Sequence, residues 1–155
     1  MGRWEKPDKE MPSFRLSDID GNVWNLKRLQ GKTLLVAVWA GWSAPCQILM
    51  PKFQALFDQL KERTELIVTT FNVDEETSAI RPYLEKHSFT FPVVPSRVFV
   101  GQLVGFLSVP RVWIIDASGK WQWEQVGFDM NDKEWESELL KRLEAVAAAS
   151  AGSAG

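Results

Sequence analysis

The chain of 155 residues holds one cysteine, Cys46, one histidine, His87, and one tyrosine. A single thiol closes no internal disulfide, and with a single histidine beside it no Cys/His zinc spacing can be assembled, so no metal or other cofactor is expected. Charge of one sign is also scarce: 18 Lys and Arg face 20 Asp and Glu, a net of −2. No basic stripe is present, which argues against sequence-independent binding of nucleic acid. No apolar run reaches the roughly 18 residues of a membrane span. The opening MGRWEKPDKEMP lacks the apolar stretch of a signal peptide, so an exported protein would carry its signal outside this sequence.

What is present is an ordinary globular composition, 45% hydrophobic, 25% charged and 12% aromatic, with eight tryptophans. The length fits one domain, and a chain this long buries about 68–70% of its unfolded surface, enough for a core without disulfides or metal.

Hydrophobic patterning divides the chain. Residues 1–10 are polar and contain Pro7, with Pro12 just beyond, and are expected to form a flexible arm. Phe14-Arg15-Leu16 and Val23-Trp24 flank Asp20-Gly21-Asn22, a tight-turn signal, and predict a β-hairpin. Asn25 is placed to cap the short turn Leu26–Gln30, which ends at Gly31. Thr33–Trp39 (TLLVAVW) is continuous, apolar and β-branched, the signature of a strand buried on both faces of a parallel sheet. Apolar residues at Leu49, Met50, Phe53, Leu56, Phe57 and Leu60 then follow helical spacing, with Pro51 expected to kink that helix. Leu66–Phe71 reads as a second buried strand. Ser78 is the expected cap of a helix through Lys86, and Phe91–Val94 reads as a short strand. Ser96–Leu107 reads as one helical turn and a loop. Val112–Ile115 and Trp121–Val126, joined through Ser118-Gly119, predict a hairpin. Asp132 is the expected cap of a last helix with Trp135, Leu139, Leu143 and Val146 on one face. The low-complexity end, residues 147–155, is expected to fray. The domain proper is thus placed at 11–146, an α/β unit with a mixed central sheet flanked by helices.

Taken in order, several pieces resemble thioredoxin-like proteins of the TlpA/ResA group, related to the redoxins (AhpC/TSA). They are Pro12-Ser13-Phe14 with LSDIDGNVWNLKRLQGK, the strand-to-helix junction VWAGWSAPCQILMP, NVDEE, FPVV and SVPRVWIIDASGKW. The resemblance runs from Met11 to about Leu143 and implies a thioredoxin-like fold with an N-terminal β-hairpin. It implies that the chemistry lies at Trp42-Ser43-Ala44-Pro45-Cys46, where the family has a Cys-x-x-Cys pair. The nucleophilic cysteine is matched by Ser43 and the resolving one by Cys46. It matches the family's cis-proline loop, which pairs with a substrate backbone, to Val109-Pro110. The resemblance also implies an extracytoplasmic setting and a protein thiol, disulfide or extended peptide as partner of a monomer. Two further positions depart from the family: Ala37 stands where a buried polar group is common, and Gln47 where a basic residue is.

Read on their own chemistry, these residues leave alternatives open. Ser43 is foremost a helix N-cap, its hydroxyl accepting from an N–H near Cys46. It is compatible with a Cys→Ser replacement, and one sequence does not separate a natural serine from an engineered one. A serine nucleophile is superficially suggested by Gly41-Trp42-Ser43 after a strand, but that motif needs glycine where Pro45 stands, and a histidine base. Cys46 is either a buried, inert thiol or half of a redox pair. Within these 155 residues no dithiol/disulfide cycle is possible with one sulfur, although a mixed disulfide with a partner is. Trp42 is expected to be partly exposed, the other tryptophans mostly packed. Asp74, Glu75 and Glu76 are read as a solvated loop rather than a metal site. Two functions result: a TlpA/ResA-like thiol-disulfide oxidoreductase with its nucleophile replaced, or a natural redox-silent module that binds peptides in the same groove. A peroxidase would need a cysteine at position 43 with Thr and Arg around it, a set the sequence lacks.

Overall fold

The computed structural model describes residues 2–153. The strand TLLVAVW forms as expected: β4 (Thr33–Trp39) is buried along its whole length. It pairs in parallel with β5 (Leu66–Asn72) on one side and antiparallel with β7 (Arg111–Ile115) on the other. Alternate residues feed two cores. Leu35, Ala37 and Trp39 face one with Cys46, Met50 and Phe53, and Leu34, Val36 and Val38 face the other with Phe71, Trp113 and Trp121. Burial on both faces is what allows a strand with no polar alternation.

The first core is covered by α2 (Ala44–Leu60) and α5 (Trp135–Ser153), with α3 (Ile80–His87) at its margin. The second lies under the small hairpin β2 (Arg15–Ser17) and β3 (Val23–Asn25), the turn α1 (Leu26–Leu29) and α4 (Arg97–Val104). Asn25 caps α1, its side chain accepting from the Arg28 N–H. β6 (Val93–Pro95) continues the parallel side, and β8 (Trp121–Val126) returns antiparallel to β7. With β1 (Arg3–Glu5), the sheet order is β1-β8-β7-β4-β5-β6, and the hairpin forms a separate two-stranded sheet. This is the mixed, helix-flanked α/β architecture that the resemblance implied.

Several local expectations are corrected. The expected loose arm contains β1, which pairs antiparallel with β8, Trp4 opposite Gln125. Trp4 packs on the first core and the Arg142 guanidinium lies over its ring, contacts across more than a hundred residues that no local pattern encodes. Residues 97–104 make a two-turn helix instead of one turn and a loop, closed by Gly105 in the left-handed region. Ser78 lies inside a 3-10 turn, Thr77–Ala79, and caps no helix; α3 starts at Ile80, which leaves Pro82 in its first turn where no N–H is missed. Asp132 accepts from the Glu134 N–H, two residues too early to cap α5, which the Glu134 carbonyl begins by accepting from the Glu138 N–H. The predicted buried face of α5 is correct. The helix continues into the alanine-rich end as far as Ser153, because alanine is the strongest helix former and outweighs the serines and Gly152. The last two residues of that expected frayed end lie outside the described residues. α2 runs from Ala44 to Leu60 through Pro51, which has no N–H to offer the Gln47 carbonyl.

Candidate functional site

Where β4 ends, Ala40-Gly41-Trp42-Ser43 turns the chain into α2. Ser43 has extended backbone (φ −86°, ψ 118°) and its Oγ accepts from the Cys46 N–H at 3.3 Å, satisfying one of the free donors of the helix start. Ala44 and Pro45 open the helix at positions where a missing N–H costs nothing. The Ser43 side is closed to solvent, 4% exposed, and Cys46 is fully buried one turn along; Trp42 between turn and helix is 63% exposed, and Ala44 and Pro45 are exposed. Burial pushes the Cys46 thiol above its ordinary value. Bonds from the Ser43 side chain and the Ala40 backbone act against that rise, and the Asp74 charge adds to it.

The Val109–Pro110 bond is cis. Arg111, the next residue, pairs with Val38, so the proline lies at the end of the central strands where β4 passes into α2. Val109 is half-buried against both cores, and Pro110 is buried. The structure therefore brings Trp42, Ser43, Ala44, Pro45, Cys46, Val109 and Pro110 to one end of the central strands. His87 is not part of the group. It ends α3, its ring stacked on Phe89 and tilted against Tyr83, and among the described residues no hydrogen bond joins it to Ser43. A serine nucleophile thus has no base here. Ala37 is buried with no polar side chain to offer, and Gln47 reaches back so that its Nε2 donates to the Gly41 carbonyl at 3.1 Å.

The profile of the AhpC/TSA family matches residues 7–123. The chain belongs to the AhpC/TSA family. Thiol-disulfide oxidoreductase ResA of Bacillus thuringiensis subsp. konkukian (strain 97-27) is 29% identical over 138 residues, which cover 87% of this chain and 77% of the relative. Thioredoxin-like protein YneN of Bacillus subtilis (strain 168) is 26% identical over 132 residues, covering 84% and 77%. Among solved structures, a thiol:disulfide interchange protein of the thioredoxin family from Chlorobium tepidum TLS superposes with a TM-score of 0.72 at 21% identity, over 92% of this chain and 99% of that one. The fold is thioredoxin-like, and the family is that of thiol-disulfide oxidoreductase-like proteins.

Two residues of this AhpC/TSA member were missed from sequence. Asp74, expected to be solvated, points its carboxylate at the junction and accepts from the Gly41 N–H, at 3.2 and 3.0 Å for its two oxygens. The signal was available, since pairing the two apolar strands in parallel sets Trp39 beside Asn72 and so brings Gly41 beside Asp74. Arg111, next to the cis-proline, had no such signal. Its guanidinium donates to the Ser108 carbonyl (2.9 Å), the Ser108 hydroxyl (2.9 Å), the Phe106 carbonyl (3.0 Å) and Glu124 (3.2 Å). It ties down the loop that leads into Val109-Pro110.

Proposed function

We propose that the chain is a TlpA/ResA-like thiol-disulfide oxidoreductase domain in which Ser43 holds the place of the nucleophilic cysteine, so that it does not cycle between dithiol and disulfide. The observation that carries this reading is the cap itself: Ser43 Oγ sits on the Cys46 N–H, at the spacing of a Cys-x-x-Cys pair. Oxidising such a pair removes two electrons and two protons from two sulfurs, and here one of the two atoms is oxygen. Trp42, Ala44, Pro45, Val109 and Pro110 form the surface that would meet an extended segment of a protein carrying a thiol or disulfide. An extracytoplasmic place of action goes with this reading through the family resemblance; no described helix is long and apolar enough to cross a membrane.

A second reading, a natural redox-silent module that binds peptides, draws support from the burial of both Ser43 and Cys46 beside an exposed Trp42. Without a sulfur at position 43 the buried Cys46 has no mixed disulfide beside it to resolve, whereas the exposed Trp42 at the same junction offers a contact surface for a peptide. Replacing Ser43 by Cys separates the two. The native chain should not catalyse the reduction of insulin by dithiothreitol. Under the first reading, Ser43→Cys closes a 43–46 disulfide and turns over, since a thiol at the cap gains from the helix N-terminus and its N–H groups. A variant that folds but neither oxidises nor reduces insulin favours the peptide-binding reading.

A further inference from the structure

The Gly41 backbone is held on both sides of its Cα. Its N–H is taken by Asp74, which leaves β5, and its carbonyl by Gln47 from the first turns of α2. Asp74 is itself fixed. The buried Asn72 donates from Nδ2 to Asp74 Oδ2 at 2.8 Å, and Asn72 Oδ1 accepts from the Asp74 N–H at 2.9 Å. A Cβ at position 41 would lie 3.5 Å from Asp74 Oδ2 and 3.7 Å from the Tyr83 ring, so carboxylate and phenol border the same peptide. Few bonds tie so short a turn, and they converge two residues before Ser43.

We propose that Asp74 is a positioning residue for position 46: its carboxylate clamps the turn that aims Ser43 and places a fixed negative charge beside the helix start, where Ala37 supplies none. The inference concerns the acid–base behaviour of Cys46 and stands whether or not the chain exchanges disulfides. The groups acting on the Cys46 sulfur are few. Asp74 comes from the loop after β5, and the Ser43 hydroxyl and the Ala40 backbone from the turn before its own helix; Tyr83 of α3 in turn borders both Asp74 and Cys46. Beyond Asp74, Glu75 is paired with Arg97 at 3.1 Å, and Arg97 also donates to the Val73 carbonyl. The rest of the core cluster around Cys46 is apolar. In such surroundings a nearby carboxylate opposes thiolate formation and is only weakly screened.

The test follows the Cys46 sulfur directly. In chain labelled with 13Cβ-cysteine, the alkaline titration of Cys46 is compared between native protein, Asp74→Asn and Glu75→Gln. Asp74→Asn keeps the shape and one acceptor but removes the charge. Its Cys46 midpoint should move down by about half a pH unit or more. Glu75→Gln changes the charge by the same amount one residue away and should leave the curve in place. Asp74→Ala should in addition speed hydrogen exchange of the Gly41 amide relative to Asp74→Asn, the result expected of a clamp. A Cys46 curve that is the same in Asp74→Asn as in native protein overturns the proposal. Should the Asp74 variants fail to fold, the native chain decides alone: the Asp74 13Cγ signal should shift as Cys46 ionises, and a signal flat through that transition overturns it.

Discussion

Cys46 shows how one residue type can mean opposite things. In a redox pair its sulfur is the resolving nucleophile; here it is packed among Trp39, Leu49, Met50 and Phe53 in the first core, with the Ser43 hydroxyl against its N–H. Burial is the largest influence on its acidity, and it favours the neutral thiol. The thiol is therefore expected to react with a disulfide reagent such as Ellman's at least about a hundredfold more slowly in native protein than in urea, because a core site opens only at a cost of several kcal/mol. Equal fast rates in both states would show an open, poised sulfur instead. The capping role of Ser43 was legible from Trp42-Ser43-Ala44-Pro45 following an apolar strand. Its closure to solvent was not, because burial is decided by residues distant in sequence.

At the level of elements, the antiparallel pair β7–β8 does more than extend the sheet. Arg111 and Glu124 form an ion pair diagonally across it at 3.2 Å, both largely buried, and Trp113, which stands opposite Glu124, donates its indole N–H to the same carboxylate oxygen at 2.8 Å. Truncating the cation alone would strand Glu124 and free the Phe106 and Ser108 carbonyls. Arg111→Met should destabilise the fold by about 3–5 kcal/mol, the range for an unpaired buried charge. Adding Glu124→Gln, which keeps an acceptor for Trp113, should return part of that loss, as urea denaturation would measure. A single substitution without effect would mean that the loop before Pro110 is held by other contacts. The strands themselves were visible in the sequence as apolar runs joined by Ser118-Gly119. The ion pair was not, since it depends on register and a one-residue slip would turn these side chains to the opposite face.

For the whole molecule, part of the acid sensitivity should lie in the hairpin over the second core. Burial works to raise the Asp18 pKa, but bonds from the Trp24 indole, the Asn22 backbone and side chain and the Asp20 N–H outweigh it, and the carboxyl ends below its ordinary 3.8. The same turn joins the hairpin to the sheet through the Ile19 N–H and the Val93 carbonyl. A depressed carboxyl contributes stability that is complete above its unfolded value and lost as pH falls through the folded one. Thermal stability should therefore decline as pH drops below about 4, and Asp18→Asn should flatten that decline while lowering stability at neutral pH. An Asp18→Asn chain with the native acid profile would place the acid response elsewhere.

Much of this architecture was written locally. Runs such as TLLVAVW leave few alternatives to a strand buried on both faces, Asn25 and Ser43 announce their helix starts, and the order of motifs identifies the family. Those signals depend on neighbours within a few residues, where backbone preference and hydrophobic period are encoded. The sixth strand at Arg3–Glu5, the clamp of Asp74 on Gly41 and the hold of Arg111 on the loop before Pro110 came only with the tertiary structure. Each joins short polar segments that have no periodic signal of their own, and each becomes favourable only after the sheet has formed and has brought together groups that must find hydrogen-bond partners once water is excluded.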